Sequence, residues 1–174
     1  MPNGLPEFLD LARLTRQPLE LAGRVRMKAM PRLNAILSGA AGDPALVLHA
    51  VDEGNGRVSV RGGIEAELPL TCQRCLEPMT QPVSAEFRLI WVRSDSEAAA
   101  LETEEPLFSP DGRINLAELV EDELLLAAPS VPMHENARCK ASKQEKVPQT
   151  GELKSKIGQT QNPFAVLEQL KRHR

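Results

Sequence analysis

Cys72-Gln73-Arg74-Cys75 sets two thiols at the spacing of a metal knuckle, in which a tight turn aims both sulfurs at one ion. Two sulfurs do not complete a tetrahedral site, and the missing pair is offered by His134 and Cys139. Three thiolates and an imidazole form a standard tetrahedral set for Zn²⁺, so Zn²⁺ is the cofactor these residues point to. The alternative reading is a pair of reduced turn cysteines beside a surface histidine. Three cysteines cannot form a closed set of disulfides, so reduced thiols are expected. No βαβ pattern surrounds the C-x-x-C, and a thioredoxin-type redox role therefore lacks its usual setting.

Other reactive groups are scarce. His49 stands in an apolar run with no acidic residue at useful spacing, and His173 lies near the C-terminal end. There is no nucleophile elbow, G-x-G-x-x-G or Walker loop, and no acid, base and nucleophile set, so an enzyme is not expected. With four Phe, one Trp and no Tyr, the chain lacks the rings of a base-stacking platform. Its longest apolar runs, such as Leu124 to Pro129, fall far short of the roughly 18 to 20 residues of a membrane span. Met1 to Leu14 also lacks a basic-then-apolar signal layout, so the expected setting is cytoplasmic and away from membranes.

Charge is divided along the chain. Up to Ala137 there are 12 basic and 21 acidic residues, and from Arg138 onward 9 basic and 3 acidic. Glu97 to Glu123 alone holds nine acidic residues against the single Arg113. A surface of that sign repels phosphate and attracts a basic protein. The best basic patch in the body is Arg24, Arg26, Lys28 and Arg32, which suits either an RNA backbone contact or a solvated strand face.

The elements that must hold these groups follow from hydrophobic periodicity. Glu7 to Leu14 reads as a short helix, and Leu19, Leu21, Val25 and Met27 as one face of a strand whose other face carries Arg24, Arg26 and Lys28. Leu46–Val51 and Arg57–Arg61, joined by Glu53-Gly54-Asn55-Gly56, read as a hairpin. Alternation through Ile64–Leu70 and Val83–Trp91 gives two half-buried strands with the C-x-x-C in their connection. Arg93 to Asp111 reads as a loop with one helical turn. Asn115 then caps a helix whose apolar face is Leu116, Leu119, Val120, Leu124 and Ala127, ending at Pro129. Glu123 falls inside that stripe, either as an edge carboxylate reaching solvent or as a buried acceptor for an Arg or a metal-bound His.

These elements give an α+β fold, mainly an antiparallel β-sheet or partly closed barrel with one core helix. Residues 1–139 form the domain, 140–161 a polar Lys-rich linker, and 162–174 a basic amphipathic helix capped by Asn162-Pro163. That helix carries Phe164, Leu167 and Leu170 on one face and closes with Lys171, Arg172 and Arg174. It is expected to be separable from the domain, because three apolar side chains bury too little surface to hold it firmly.

Several segments in order resemble the YceD family, the bacterial large ribosomal RNA subunit accumulation proteins. They are Leu5-Pro6 with Leu9-Asp10 and Arg13, Leu70-Thr71-Cys72-Gln73-Arg74-Cys75, Val92-Arg93-Ser94-Asp95, and Ile114-Asn115-Leu116 through Leu119-Val120-Glu121-Asp122-Glu123. Pro129, Val131-Pro132, His134, Cys139 and Asn162-Pro163-Phe164-Ala165-Val166-Leu167 complete the series. The resemblance implies a non-catalytic role in synthesis, processing or stability of 23S rRNA, in assembly of the large ribosomal subunit, with pre-50S components as partners. Two mechanisms fit it. In one, the acidic surface holds a basic ribosomal protein or assembly factor and Phe164, Leu167 and Leu170 serve as an apolar clamp. In the other, Arg24, Arg26, Lys28, Arg74, Lys171 and Arg172 hold precursor rRNA directly. The acidic body favours the first.

Overall fold

Alternation of apolar and polar residues through 45–92 becomes three antiparallel strands, β3 (Ala45–Gly54), β4 (Arg57–Thr71) and β5 (Pro78–Val92). The structure is a computed structural model that describes residues 5–14, 18–135 and 139–140. The hairpin forms where expected, at Asn55-Gly56, whose φ values of 55° and 76° suit the twist of the strands they join. The runs 57–61 and 64–70 are one continuous strand. They meet at Gly62, where a Cβ would lie 2.5 Å from the Val47 carbonyl oxygen and 2.6 Å from Phe87 Cζ. The Phe87 ring covers the bare backbone there, so the apparent break in the pattern is a close packing contact.

The full sheet has the order β2-β3-β4-β5-β6, with β2 (Leu19–Arg24) at one edge and β6 (Glu105–Phe108) at the other. It is an open sheet, not a closed barrel. It is also mixed, because β6 runs parallel to β5 with Leu89 opposite Glu105 and Val92 opposite Phe108. The reading of 93–111 as a loop is corrected here, although its single helical turn is present as α2 (Asp95–Ala99), capped by the Ser94 hydroxyl. A parallel neighbour needs a crossover, and 93–104 supplies it.

The N-terminal expectation is also corrected. Phe8–Asp10 is a strand, β1, paired antiparallel with β7 (Arg113–Asn115), followed by a 3-10 turn at Leu11–Arg13. Its burial alternates, with Leu9 and Leu11 in the core and Phe8 exposed, so the period is that of a strand. β2 ends at Arg24 instead of running on to Lys28. From there the chain turns inward to bury Val25, Met27 and Met30, and polar side chains satisfy its backbone: Asp43 Oδ1 accepts the Met27 N–H at 2.8 Å, and Asn34 Nδ2 donates to the Met27 and Met30 carbonyls.

The helix expected after Asn115 is α3 (Leu116–Ala127), and Asn115 Oδ1 accepts the N–H groups of Ala117 and Glu118 as an N-cap. Leu116, Leu119, Val120 and Leu124 are buried against β4 and β5, whereas Ala127 is exposed. The buried carboxylate of this helix is Glu121, and Glu123 is only half-buried. Glu121 Oε1 accepts the Leu33 N–H and Oε2 accepts Arg32 Nε, both at 2.9 Å. It thereby caps α1 (Pro31–Ile36), a short helix whose own N-cap residue, Met30, has no side-chain acceptor. A helical wheel shows the face toward the sheet, and the flank that meets α1 lies beyond it. Glu123 points the other way; burial, then nearby Glu105 and Asp122, raise its pKa.

The outer face of the sheet stays open, with a row of Glu20, His49, Arg61 and Arg88 across four strands. His49 is half-exposed and lies 3.4 Å from Glu20, an acidic partner supplied by the adjacent strand and invisible along its own. No helix among the described residues is long and apolar enough to cross a membrane. The 140–161 linker, apart from Lys140, and the 162–174 helix lie outside the described residues.

Candidate metal centre

β4 and β5 are paired to their ends, with Thr71 opposite Pro78, and the residues 72–77 between them form the knuckle. The turn is closed on both sides: Cys72 N–H donates to the Glu77 carbonyl at 3.0 Å, and Leu76 N–H donates to the Cys72 carbonyl at 2.9 Å. This compact loop turns both sulfurs inward, with Cys72 fully buried and Cys75 partly so.

The chain after α3 supplies the other half. Ala128 leaves the helix in an extended conformation, and Pro129 and Pro132 keep the backbone from resuming it. The extended segment runs back along the knuckle, where the Gln73 N–H donates to the Pro132 carbonyl at 2.8 Å. One residue further on, Met133 Sδ takes a 3.7 Å contact from Arg74 Nη2. His134 then faces the cysteines, its N–H 3.4 Å from Cys72 Sγ and its Nδ1 3.4 Å from Cys75 Sγ. Cys139 N–H donates to the Glu135 carbonyl at 3.1 Å and the Cys139 side chain is buried. Lys140 Nζ, 3.0 Å from Glu77 Oε1, fastens the outgoing chain to the far side of the knuckle.

All four expected ligands therefore meet, their ligand atoms within 4.8 Å of one another. Bonds of about 2.3 Å to sulfur and 2.0 Å to nitrogen in a tetrahedron set ligand atoms roughly 3.5 to 3.8 Å apart, so the set closes around one Zn²⁺ with small adjustments. Soft sulfurs with one imidazole suit Zn²⁺ better than a hard cation such as Mg²⁺ or Ca²⁺. A bound ion with these four protein ligands would have its tetrahedron filled, with no open position for water or substrate, as in a structural site.

The local electrostatics prepare one thiolate, at Cys72, and hold its neighbour Cys75 as a thiol. Burial works against ionisation of Cys72, but the backbone N–H groups of Cys75, His134 and Arg74, with the Cys75 side chain, outweigh it and hold the pKa at about 5. For Cys75 the Glu77 backbone N–H favours the thiolate, but burial and the neighbouring Cys72 and Cys139 sulfurs prevail and raise its pKa.

The other expected site residues are scattered. Arg24 donates from Nη1 to the Asp43 carbonyl at 2.6 Å, and Arg26 and Lys28 are exposed in the turn after β2. Arg32 is withdrawn from that patch, paired with Glu121 at 2.8 Å and Asp122 at 2.7 Å. Arg74 stands on the knuckle. Arg24 is level with Glu65 across β3, and Thr71 is six residues further along β4, roughly 20 Å at strand rise, so the two basic groups are separate. Phe164, Leu167, Leu170, Lys171 and Arg172 lie outside the described residues.

The acidic stretch is smaller as a surface than as a sequence. Glu97 takes the Arg93 N–H, Glu104 pairs with Arg57, Asp111 holds the turn to Arg113, and Glu121 and Asp122 hold Arg32. Glu102, Glu105, Glu118 and Glu123 are left without an ion pair among the described residues. The sequence reading missed the role of Glu121, for which its place inside Leu119-Val120-Glu121 was the signal, and also Leu76, which sits at φ 60° directly after the C-x-x-C.

Comparisons with known proteins agree on one assignment. The family model of the large ribosomal RNA subunit accumulation protein YceD matches residues 60–171, a span that includes all four cluster residues. The large ribosomal RNA subunit accumulation protein YceD of Haemophilus influenzae is 34% identical over 169 residues, covering 96% of both chains. No solved structure matches the chain.

Proposed function

The chain belongs to the YceD family of large ribosomal RNA subunit accumulation proteins, and from that premise we propose that it acts in the cytoplasm as a non-catalytic assembly factor. In this reading it supports 23S rRNA by holding a basic ribosomal protein or assembly factor of the pre-50S particle. The observation that carries the reading is the unneutralised set Glu102, Glu105, Glu118 and Glu123, spread over the β6 and α3 side of the body. Such a surface repels RNA phosphate and draws in lysine and arginine. The rings argue in the same direction. Trp91 is buried with its Nε1–H donated to the Ser109 carbonyl at 2.7 Å, Phe87 is buried under Gly62, and Phe8 is occupied by Arg113, whose guanidinium stands 4.9 Å from the ring centroid, which leaves Phe108 at the end of β6 as a single open ring among the described residues, too few for a stacking platform.

Zn²⁺ held by Cys72, Cys75, His134 and Cys139 would tie the strand connection to the segment after α3 and fix the surface on either side. Residues 1–139 then form the body, 140–161 the linker and 162–174 the clamp, with Phe164, Leu167 and Leu170 toward the partner.

A second reading is direct binding of precursor rRNA. It is favoured by Arg24, Arg26 and Lys28, exposed and without an ion pair among the described residues. Arg74, Lys171 and Arg172 would extend the contact, and binding would weaken steeply with salt.

Deleting residues 162–174 separates clamp from core. The melting temperature should stay within about 2 °C of the full chain, because three apolar side chains contribute little to global stability, while co-sedimentation with pre-50S particles falls. A loss of stability much larger than this would show the segment to be part of the core.

A further inference from the structure

Beside the cysteine-histidine cluster the surface carries apolar side chains that the fold leaves uncovered. Leu76, next to Cys75, is 72% exposed and sits at φ 60°, a conformation that an L-residue with a branched side chain adopts only against strain. Val131 and Met133, on the segment that runs back along the knuckle, are 58% and 45% exposed. The Gln73 to Pro132 hydrogen bond and the Arg74 contact to Met133 hold these two loops side by side. A glycine at position 76 would relieve the strain. The leucine therefore has to be explained by what its side chain touches.

Where the chain goes next identifies the occupant. It leaves this spot at Lys140, fastened to Glu77, the neighbour of Leu76. The 23 residues from 141 to 163 are polar and Lys-rich, and the first dense group of large apolar residues after them is Phe164, Val166, Leu167 and Leu170. Twenty-three residues are long enough to bring the segment they tether back to this spot, where the tether sets an effective concentration of millimolar order. The family match runs from 60 to 171, so knuckle, polar stretch and apolar segment are parts of one family unit.

We propose that the lip formed by Leu76, Val131 and Met133 is the seat of the chain's own segment Phe164–Leu170. In the free protein the segment rests there, and the Cys₃His cluster holds the two loops of the seat in register. The proposal goes beyond the assembly role and stands whether the partner is protein or RNA.

The test uses the full-length metal-loaded chain with a photoreactive benzoylphenylalanine in place of Phe164, irradiated at low micromolar concentration. Digestion and mass spectrometry should find intrachain crosslinks to peptides containing 74–77 and 131–133. Leu76→Gly keeps the turn and relieves its strain, so it should retain metal and melting temperature while crosslinking to the lip falls at least about threefold, as for loss of the central side chain of a small patch. In the unlabelled protein, deletion of 162–174 should speed amide hydrogen exchange at 74–77 and 131–133. Crosslinks confined to another face, crosslinks only between two chains, or yields unchanged in Leu76→Gly would each overturn the proposal.

Discussion

Replacing Cys72 with serine is expected to remove the metal and lower the melting temperature in one step. The substitution is nearly isosteric at a fully buried position, so packing alone changes little and the effect reads the metal. Apparent zinc binding energies of about 10 to 16 kcal/mol in small zinc domains are folding energy. This domain has a separate core on the inner face of its sheet, so only part of that energy is needed to keep it folded. A fall in melting temperature on the order of 10 °C is expected, with metal content dropping from about one Zn²⁺ per chain to near zero. Cys75→Ser and Cys139→Ser should behave alike, because the cluster closes only with all four ligands. Elemental analysis beside a thermal melt checks this, and a Cys72→Ser protein that melts like the parent would leave the cysteines as a turn without a metal role.

Glu121→Ala should destabilise the fold without touching the cluster. Glu121 is 2% exposed and its carboxylate is the acceptor for the Leu33 N–H, 88 positions away in sequence. Removing it orphans a buried donor at the start of α1 and leaves an unfilled space, together costing about 2 to 4 kcal/mol. Glu121→Gln retains one oxygen for Leu33 and most of the volume, and should lose less than half as much. Urea unfolding measures both, with metal content unchanged in each variant. If alanine and glutamine prove equally mild, the cap contributes nothing measurable and α1 is held by Met30 and Leu33 packing alone.

Much of this architecture was legible because one face of the sheet is buried. A strand covered on one side writes period two into its sequence, and β3, β4 and β5 show it through Leu46–Trp91. Asn115 was equally plain, since a capping side chain must precede its helix. What failed was short or set by tertiary context. β6 is four residues long with Pro106 inside it, so alternation had no room to show. α1 has six residues, fewer than two turns, and its first turn is capped from another helix. The cluster was readable by residue type, because thiols at C-x-x-C spacing have few structural alternatives. That His134 and Cys139 close it depends on the Pro132 carbonyl meeting Gln73, a backbone contact with no signature in side-chain identity. The acidic stretch misled in degree, as five of its nine carboxylates are engaged within the fold.

We propose that the direct partner is a basic protein of the assembling large subunit. Crosslinking in cells decides it when the same tagged chain is treated in parallel with a carboxyl-to-amine coupling reagent and with ultraviolet light. Coupling of Glu102, Glu105, Glu118 or Glu123 to lysines of a discrete ribosomal protein or assembly factor is expected, with little RNA captured by light. Ultraviolet crosslinks of precursor 23S rRNA to the peptides carrying Arg24, Arg26, Lys28 or Arg74, with no protein coupled to the acidic face, would contradict it.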